Sequence, residues 1–341
     1  MSRMIRSAAL LIGVGLSAGI SVAGAQTLNL YTARHYDSDE ALYDAFERRT
    51  GVEVNVLEGD SDQLIERISR EGAASPADVF MTVDAARLQR AEDAGLFAPV
   101  ESSVLEDRIP DALRDPDNLW FGFSERVRIV FYDRSAYDEP PLARYEALAD
   151  PRFEGEVCIR SSSNDYNQSL VASLIAANGP EATEDWAEGL VDNMARTPQG
   201  GDTDQIRGVA AGECSLAVGN HYYWVRLSLS DSDADQAVAD QVGMIFPNQE
   251  DRGTHRNIGG AGMVEGAPNP DAARQFLEFL ASDEAQKLFS AGNNEFPAVN
   301  GVEPVAVLQP FSDYKLDDVR MSVLGENNAD AVRLMDRAGW R

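Results

Sequence analysis

Lysine is nearly missing from this chain. Among 29 basic residues in 341, only Lys287 and Lys315 are lysines, and the rest are arginine. Against them stand 57 acidic residues, so the formal net charge is -28 at pH 7. A surface of that sign repels phosphate backbones and anionic headgroups, which argues against nucleic acid or an anionic membrane as partner. It does not identify a ligand, and adaptation to a salt-rich medium is the simpler account of it. The chain also lacks a two-histidine, one-carboxylate spacing, a plausible cysteine nucleophile and, beyond its first residues, a G-x-S-x-G elbow. No enzyme is expected on those grounds. Past residue 25 no stretch is long and apolar enough for a membrane span, so no stable membrane insertion is expected.

What stands at the start is a leader. Arg3 and Arg6 form a basic head, an apolar run rich in glycine and alanine follows, and Ala23-Gly24-Ala25 fits the small-x-small cleavage pattern. A signal peptide over 1–25 is predicted, with a soluble exported chain from Gln26. A membrane anchor is the alternative, against which the run is short and glycine-rich. The two cysteines, Cys158 and Cys214, both follow the leader. In an exported protein the pair is expected as a disulfide, two buried thiols being the alternative.

Alternating residues 28–32 and 52–56 predict strands, with helices through Ala41, Leu42, Ala45 and Phe46 and through Leu64, Ile65 and Ile68. Val79-Phe80-Met81 makes a third strand, and a helix over 84–94 closes at Gly95. This βαβαβα rhythm predicts an open α/β sheet with ligands beyond its strand ends. Residues 127–132 read as a crossover strand into a second lobe, and the glycine-rich run 254–262 as the return. The boundaries expected are 26–126 with 254–300 for lobe one, and 127–253 with 301–341 for lobe two.

The stretch that organises this reading is Gly219-Asn220-His221-Tyr222-Tyr223-Trp224-Val225-Arg226. A buried strand ends before it, which predicts two adjacent phenols on a loop at a strand end. An aromatic run packed into a core is the plainer alternative. Tyr222-Tyr223, His35-Tyr36 and Tyr166 all fall at strand-to-helix junctions, and a cleft between lobes would bring them together. A phenol with a pKa of about 10 is neutral at pH 7, so only a strongly charged cation would hold two side by side as tyrosinates. Four phenolates are hard oxygen donors and suit Fe(III) far better than zinc or copper(I). Each tyrosine also has an ordinary reading: Tyr36 as a surface phenol, Tyr166 as a helix-capping or core residue. Tyr31, Tyr132 and Tyr145 read as packing, and His221 and His255 as loop or hinge residues. Arg128 is placed either beside the phenols, offsetting their charge, or in a surface or structural ion pair.

Several motifs resemble the periplasmic ferric-ion-binding proteins of ABC-type iron importers, a branch of the type II periplasmic binding proteins. They are Tyr31-Thr32-Ala33-Arg34-His35-Tyr36, Ser75-Pro76-Ala77-Asp78-Val79-Phe80, Arg126-Val127-Arg128-Ile129-Val130, Asn220-His221-Tyr222-Tyr223-Trp224, Asn257-Ile258-Gly259-Gly260-Ala261-Gly262 and Asn294-Glu295-Phe296-Pro297. The resemblance implies two α/β lobes, each a mixed sheet flanked by helices, with the ligand cleft between them. It implies Fe(III) as the transported ligand and an inner-membrane ABC permease as partner. A monomer is expected because it suits a hinge-bending carrier, the oligomeric state being otherwise open. Tyr222 and Tyr223 match the iron-binding pair of that family, and His35 the histidine of its transferrin-like members. Those members place a glutamate where Val83 stands here, and Asp84 next to it would point to the other side. Tyr36 and Tyr166 match instead the branch with extra tyrosine ligands. The metal set expected is therefore Tyr36, Tyr166, Tyr222 and Tyr223, with His35 as a fifth ligand or close neighbour. Whether a synergistic anion completes the shell is left open, and so is a same-fold carrier of Fe(II), another metal or a small organic anion.

Overall fold

The computed structural model describes residues 26–34 and 36–341. The expected signal peptide and His35 lie outside the described residues. Among those described there are ten strands: β1 Thr27–Thr32, β2 Glu53–Glu58, β3 Val79–Thr82, β4 Phe97–Ala98, β5 Phe121–Asp133, β6 Val157–Cys158, β7 Leu216–Asn220, β8 Val242–Ile245, β9 Arg256–Val264 and β10 Phe296–Pro297. Their path is β2-β1-β3-β9-β5-β7-β6, with β4 against β9 and with β8 and β10 against β5.

β1 pairs in parallel with β2 and β3, as strands joined by the returning helices Glu40–Thr50 and Ser61–Glu71 must. β9 then runs antiparallel to β3 and β5. The 13-residue strand β5 carries the chain from one lobe to the other. Its first half, to Val127, pairs with β9; from Arg128 onward it pairs with β7, and from Val130 with β8 on its other edge. Every residue of β5 is buried, so the alternation that marks a one-sided strand is absent. That is why the sequence signal begins only at Val127.

One apolar core surrounds the first sheet, with Leu28, Leu30, Phe46, Phe80 and Phe276 among its members. Two others cover opposite faces of the second sheet: Val130 and Tyr132 enter one, Ile129 and Phe131 the other, as a period of two requires. The last segment spans both lobes. Met321 and Leu324 join the first core, while Leu334, Met335 and Trp340 join one face of the second. Gly259 in β9 has a packing reason: a Cβ there would lie 2.7 Å from both Arg34 Nη1 and Ser124 Oγ. Cys158 and Cys214 form a disulfide, tying β6 to the residue pair that leads into β7. Lys287, on the helix Asp283–Asn293, and Lys315 are both exposed. Among the described residues no helix is long and apolar enough to cross a membrane.

Candidate metal centre

Tyr222 and Tyr223 stand in the first turn of the helix His221–Ser228, not on a loop. Asn220 is still extended at φ -78°, ψ 141°, and the chain turns helical at the next residue. His221 is anchored on both nitrogens: the Val127 N–H donates to Nδ1 at 3.3 Å, and Nε2 donates to the Asn294 carbonyl at 2.9 Å. Burial pushes its imidazole down to about 4, so it is a neutral brace beside Tyr222. Tyr166 occupies the first turn of the helix Asp165–Asn178, whose N-cap Asn164 accepts from the Asn167 N–H. Tyr36 follows β1 and precedes the short 3-10 turn Asp37–Asp39. Tyr166, Tyr222 and Tyr223 thus lie at the positive ends of helix dipoles, which favours an anionic oxygen.

The structure brings these phenols together. Tyr222 Oη donates to Tyr166 Oη at 3.4 Å, and the Tyr222 and Tyr223 rings are 4.4 Å apart. Tyr36 acts electrostatically on Tyr166, Tyr222 and Tyr223. Tyr166 and Tyr223 line a cleft of about 550 Å³ together with Val83, Arg160, Asn164 and Asp165. Burial, then the neighbouring phenol Tyr36, holds Tyr166 well above its usual pKa; Tyr222 is raised likewise by burial, Tyr166 and Tyr36. Tyr223 is raised by burial and by Asp202. Without a cation all three stay protonated at neutral pH, and removing their protons takes a strong positive charge.

Arginines surround the cluster. The Arg226 guanidinium lies 5.0 Å from the Tyr222 ring, 5.5 Å from Tyr36 and 5.6 Å from Tyr223. Arg126, Arg160 and Arg128 sit 5.7, 5.9 and 6.0 Å from the Tyr166 ring. Arg34 lies 5.0 Å from the Tyr36 ring and is itself clamped by Asp39 at 2.7 Å. Arg128 also makes a buried ion pair with Asp202 at 3.2 Å, the structural pairing that was the alternative expected for it. Glu295 bridges Arg34 at 3.1 Å and Arg126 at 3.0 Å. Burial would raise its carboxyl, yet the two guanidiniums hold it below the usual range.

Val83 faces the cleft, whereas Asp84 caps the helix Ala85–Asp93 and accepts from Asn257 at 2.7 Å and Ser169 at 2.8 Å. Among the described residues, no three or more His, Cys, Asp and Glu side chains gather so as to hold a metal ion. His255 is buried, its backbone N–H bonded to Tyr145 Oη at 3.1 Å. Tyr31 donates to Glu71 at 3.3 Å, and Tyr31 and Tyr145 are buried packing residues. The arginine shell was not foreseen as a whole. Arg226 had a signal, standing four residues after Tyr222 and so on the same helix face. Glu295 stood in one of the resembling motifs, but no spacing pointed to its role, because its partner Arg34 is 261 residues away in the chain.

A model of the bacterial extracellular solute-binding proteins matches residues 41–315. Iron uptake protein A2 of Synechocystis sp. is 50% identical over 321 residues, which cover 94% of this chain and 91% of that protein. The structure of Trichodesmium FutA (IdiA) in complex with iron and citrate ligands gives a TM-score of 0.89 at 55% identity, over 92% of this chain and 100% of that one. A ferric binding protein from Campylobacter jejuni gives 0.87 at 42% identity, again over 92% and 100%. These neighbours share the two-lobed, mixed-sheet architecture of type II periplasmic binding proteins. The chain therefore belongs to the family of bacterial extracellular solute-binding proteins.

Proposed function

We propose that this protein is a periplasmic solute-binding protein that captures Fe(III) between its lobes and delivers it to an inner-membrane ABC permease. The observation that carries this reading is the convergence of four phenols from two lobes, Tyr36 from the first and Tyr166, Tyr222 and Tyr223 from the second. All four are ligands in this reading, and His35 is a fifth ligand or a close neighbour. Four tyrosinates carry one more negative charge than Fe(III) neutralises, and the arginine shell offsets it. A trivalent ion is favoured over Fe(II) because it gains more from the same anionic set. The relatives named for iron uptake and ferric binding point the same way. Citrate accompanies iron in the Trichodesmium structure, and Arg160 in the cleft wall is the group an anion would meet here.

The protein is a carrier and not an enzyme: its chemistry is proton loss, metal capture and release. It is exported on residues 1–25 and works as a monomer. Its lobes are 26–126 with 254–300, joined by Met321 and Leu324, and 127–253 with the chain end from Ala331 to Trp340, hinged where β5 changes sheets at Val127 and Arg128. The test is a visible spectrum of the iron-free protein before and after one equivalent of ferric citrate, repeated with Tyr222→Phe and Tyr223→Phe. Tyrosinate-to-Fe(III) charge transfer should give a broad visible band that shifts or vanishes in the variants. A protein that stays colourless would leave only the fold, with a small organic anion as the ligand to pursue.

A further inference from the structure

Four consecutive residues, 293–296, touch the supports of all four phenols. Asn293 ends the helix Asp283–Asn293, and its Oδ1 accepts from Arg226 at 2.9 Å. Asn294 turns into the left-handed region at φ 56°, which asparagine tolerates better than most residues, and its carbonyl accepts from His221 at 2.9 Å. Glu295, 1% exposed, accepts from Arg34 on one carboxylate oxygen and from Arg126 on the other. Phe296 stacks on the His221 ring with centroids 4.9 Å apart and pairs with Glu125 of β5.

Together these contacts reach all four phenols. Arg226 serves Tyr36, Tyr222 and Tyr223; Arg34 serves Tyr36; Arg126 serves Tyr166; and His221 precedes Tyr222 in the chain. A buried carboxylate shared by two guanidiniums fixes both, since moving either would leave charge uncompensated in a dry interior. Asn293 does the same for Arg226 with a charge-assisted hydrogen bond. The segment follows a helix whose Ala285 and Phe289 enter the first core, while its Phe296 enters a core of the second sheet, as does the helix that bears His221 and Arg226.

We propose that residues 293–296 form a positioning element that sets the cationic groups around the ferric site and thereby how tightly the phenols hold iron. The inference rests on the ferric reading given above. Its test loads the mature wild-type, Glu295→Gln and Asn293→Ala proteins with one equivalent of ferric citrate. Three quantities are read: the visible band, the rate of iron transfer to excess EDTA, and thermal unfolding of the iron-free proteins. Both variants should shift the band and release iron about 10-fold faster or more, the range typical of groups that orient metal ligands. A purely structural role would lower the iron-free unfolding temperature and leave band and release rate at wild-type values, which overturns the proposal. If Glu295→Gln does not fold, Asn293→Ala decides by the same two readouts. A wild-type protein without a band sinks the ferric reading itself, whereas a wild-type band unchanged in the variants sinks only the positioning role.

Discussion

Lowering the pH should strip iron from the cleft on a slope that counts its phenols. In the iron-free protein, burial raises Tyr166, Tyr222 and Tyr223 above their ordinary pKa, helped by neighbouring phenols and, at Tyr223, by Asp202. Each therefore carries its proton at neutral and acid pH and must lose it to bind the metal. The sign follows: every step toward acid restores protons to the ligands and weakens binding. For each proton displaced, the apparent association constant changes about tenfold per pH unit, or about 1.4 kcal/mol. With Tyr36 as the fourth ligand, the dependence is about four decades per pH unit, roughly 5 kcal/mol. Competition with a chelator of known protonation constants, followed by absorbance from about pH 7.5 to about pH 5.5, measures it. Tyr166→Phe should lower the slope by about one decade per pH unit, because one fewer proton is displaced. A wild-type slope near zero or one would refute four tyrosinate ligands outright.

Other consequences are open to simpler experiments. The Cys158–Cys214 disulfide closes a loop of sequence separation 56, so replacing both cysteines by alanine should cost about 4 kcal/mol on the chain-entropy argument. Urea unfolding reads this, and an unchanged midpoint would contradict it. Arg87 on the first lobe reaches Asp165 at 2.6 Å, at the start of the helix that carries Tyr166. Arg87→Ala removes a charge-assisted hydrogen bond of about 1.5 kcal/mol, so iron should leave about tenfold faster; a wild-type release rate would dismiss the tie. Gly259→Ala would press its new methyl on Arg34 and Ser124, costing about 1–3 kcal/mol in thermal unfolding, and no loss would show that the pair can give way.

How far the sequence could be read depended on whether each signal was local. In β1 Leu28 and Leu30 are buried beside half-buried Thr27 and Asn29, and the helix Glu40–Thr50 turns Leu42, Ala45 and Phe46 inward, so alternation and helical spacing give both away. β5 is buried throughout, so its first six residues carried no period and only its second half was read as a strand. The phenols were visible because they follow strand ends, although the helix beginning at His221 was not. Asn220 looked like a breaker and is instead the last residue of a strand and the cap of a helix. The supports were invisible for a different reason. Arg34 and Glu295 are 261 positions apart and Arg126 and Glu295 are 169 apart, and no spacing rule spans such distances.

The scarcity of lysine has a practical side. Apart from the α-amino group, the chain offers only two primary amines, both exposed. Lys287 rides on the helix whose Ala285 and Phe289 enter the core of the first sheet, while Lys315 adjoins Leu316, which packs against the second. An amine-directed pair of spin labels or dyes would thus place one reporter on each side of the cleft with no substitution in the chain. None of the arginines around the phenols would react. The distance between labels, followed as iron is added and withdrawn, would test directly whether the two sides move in the native molecule.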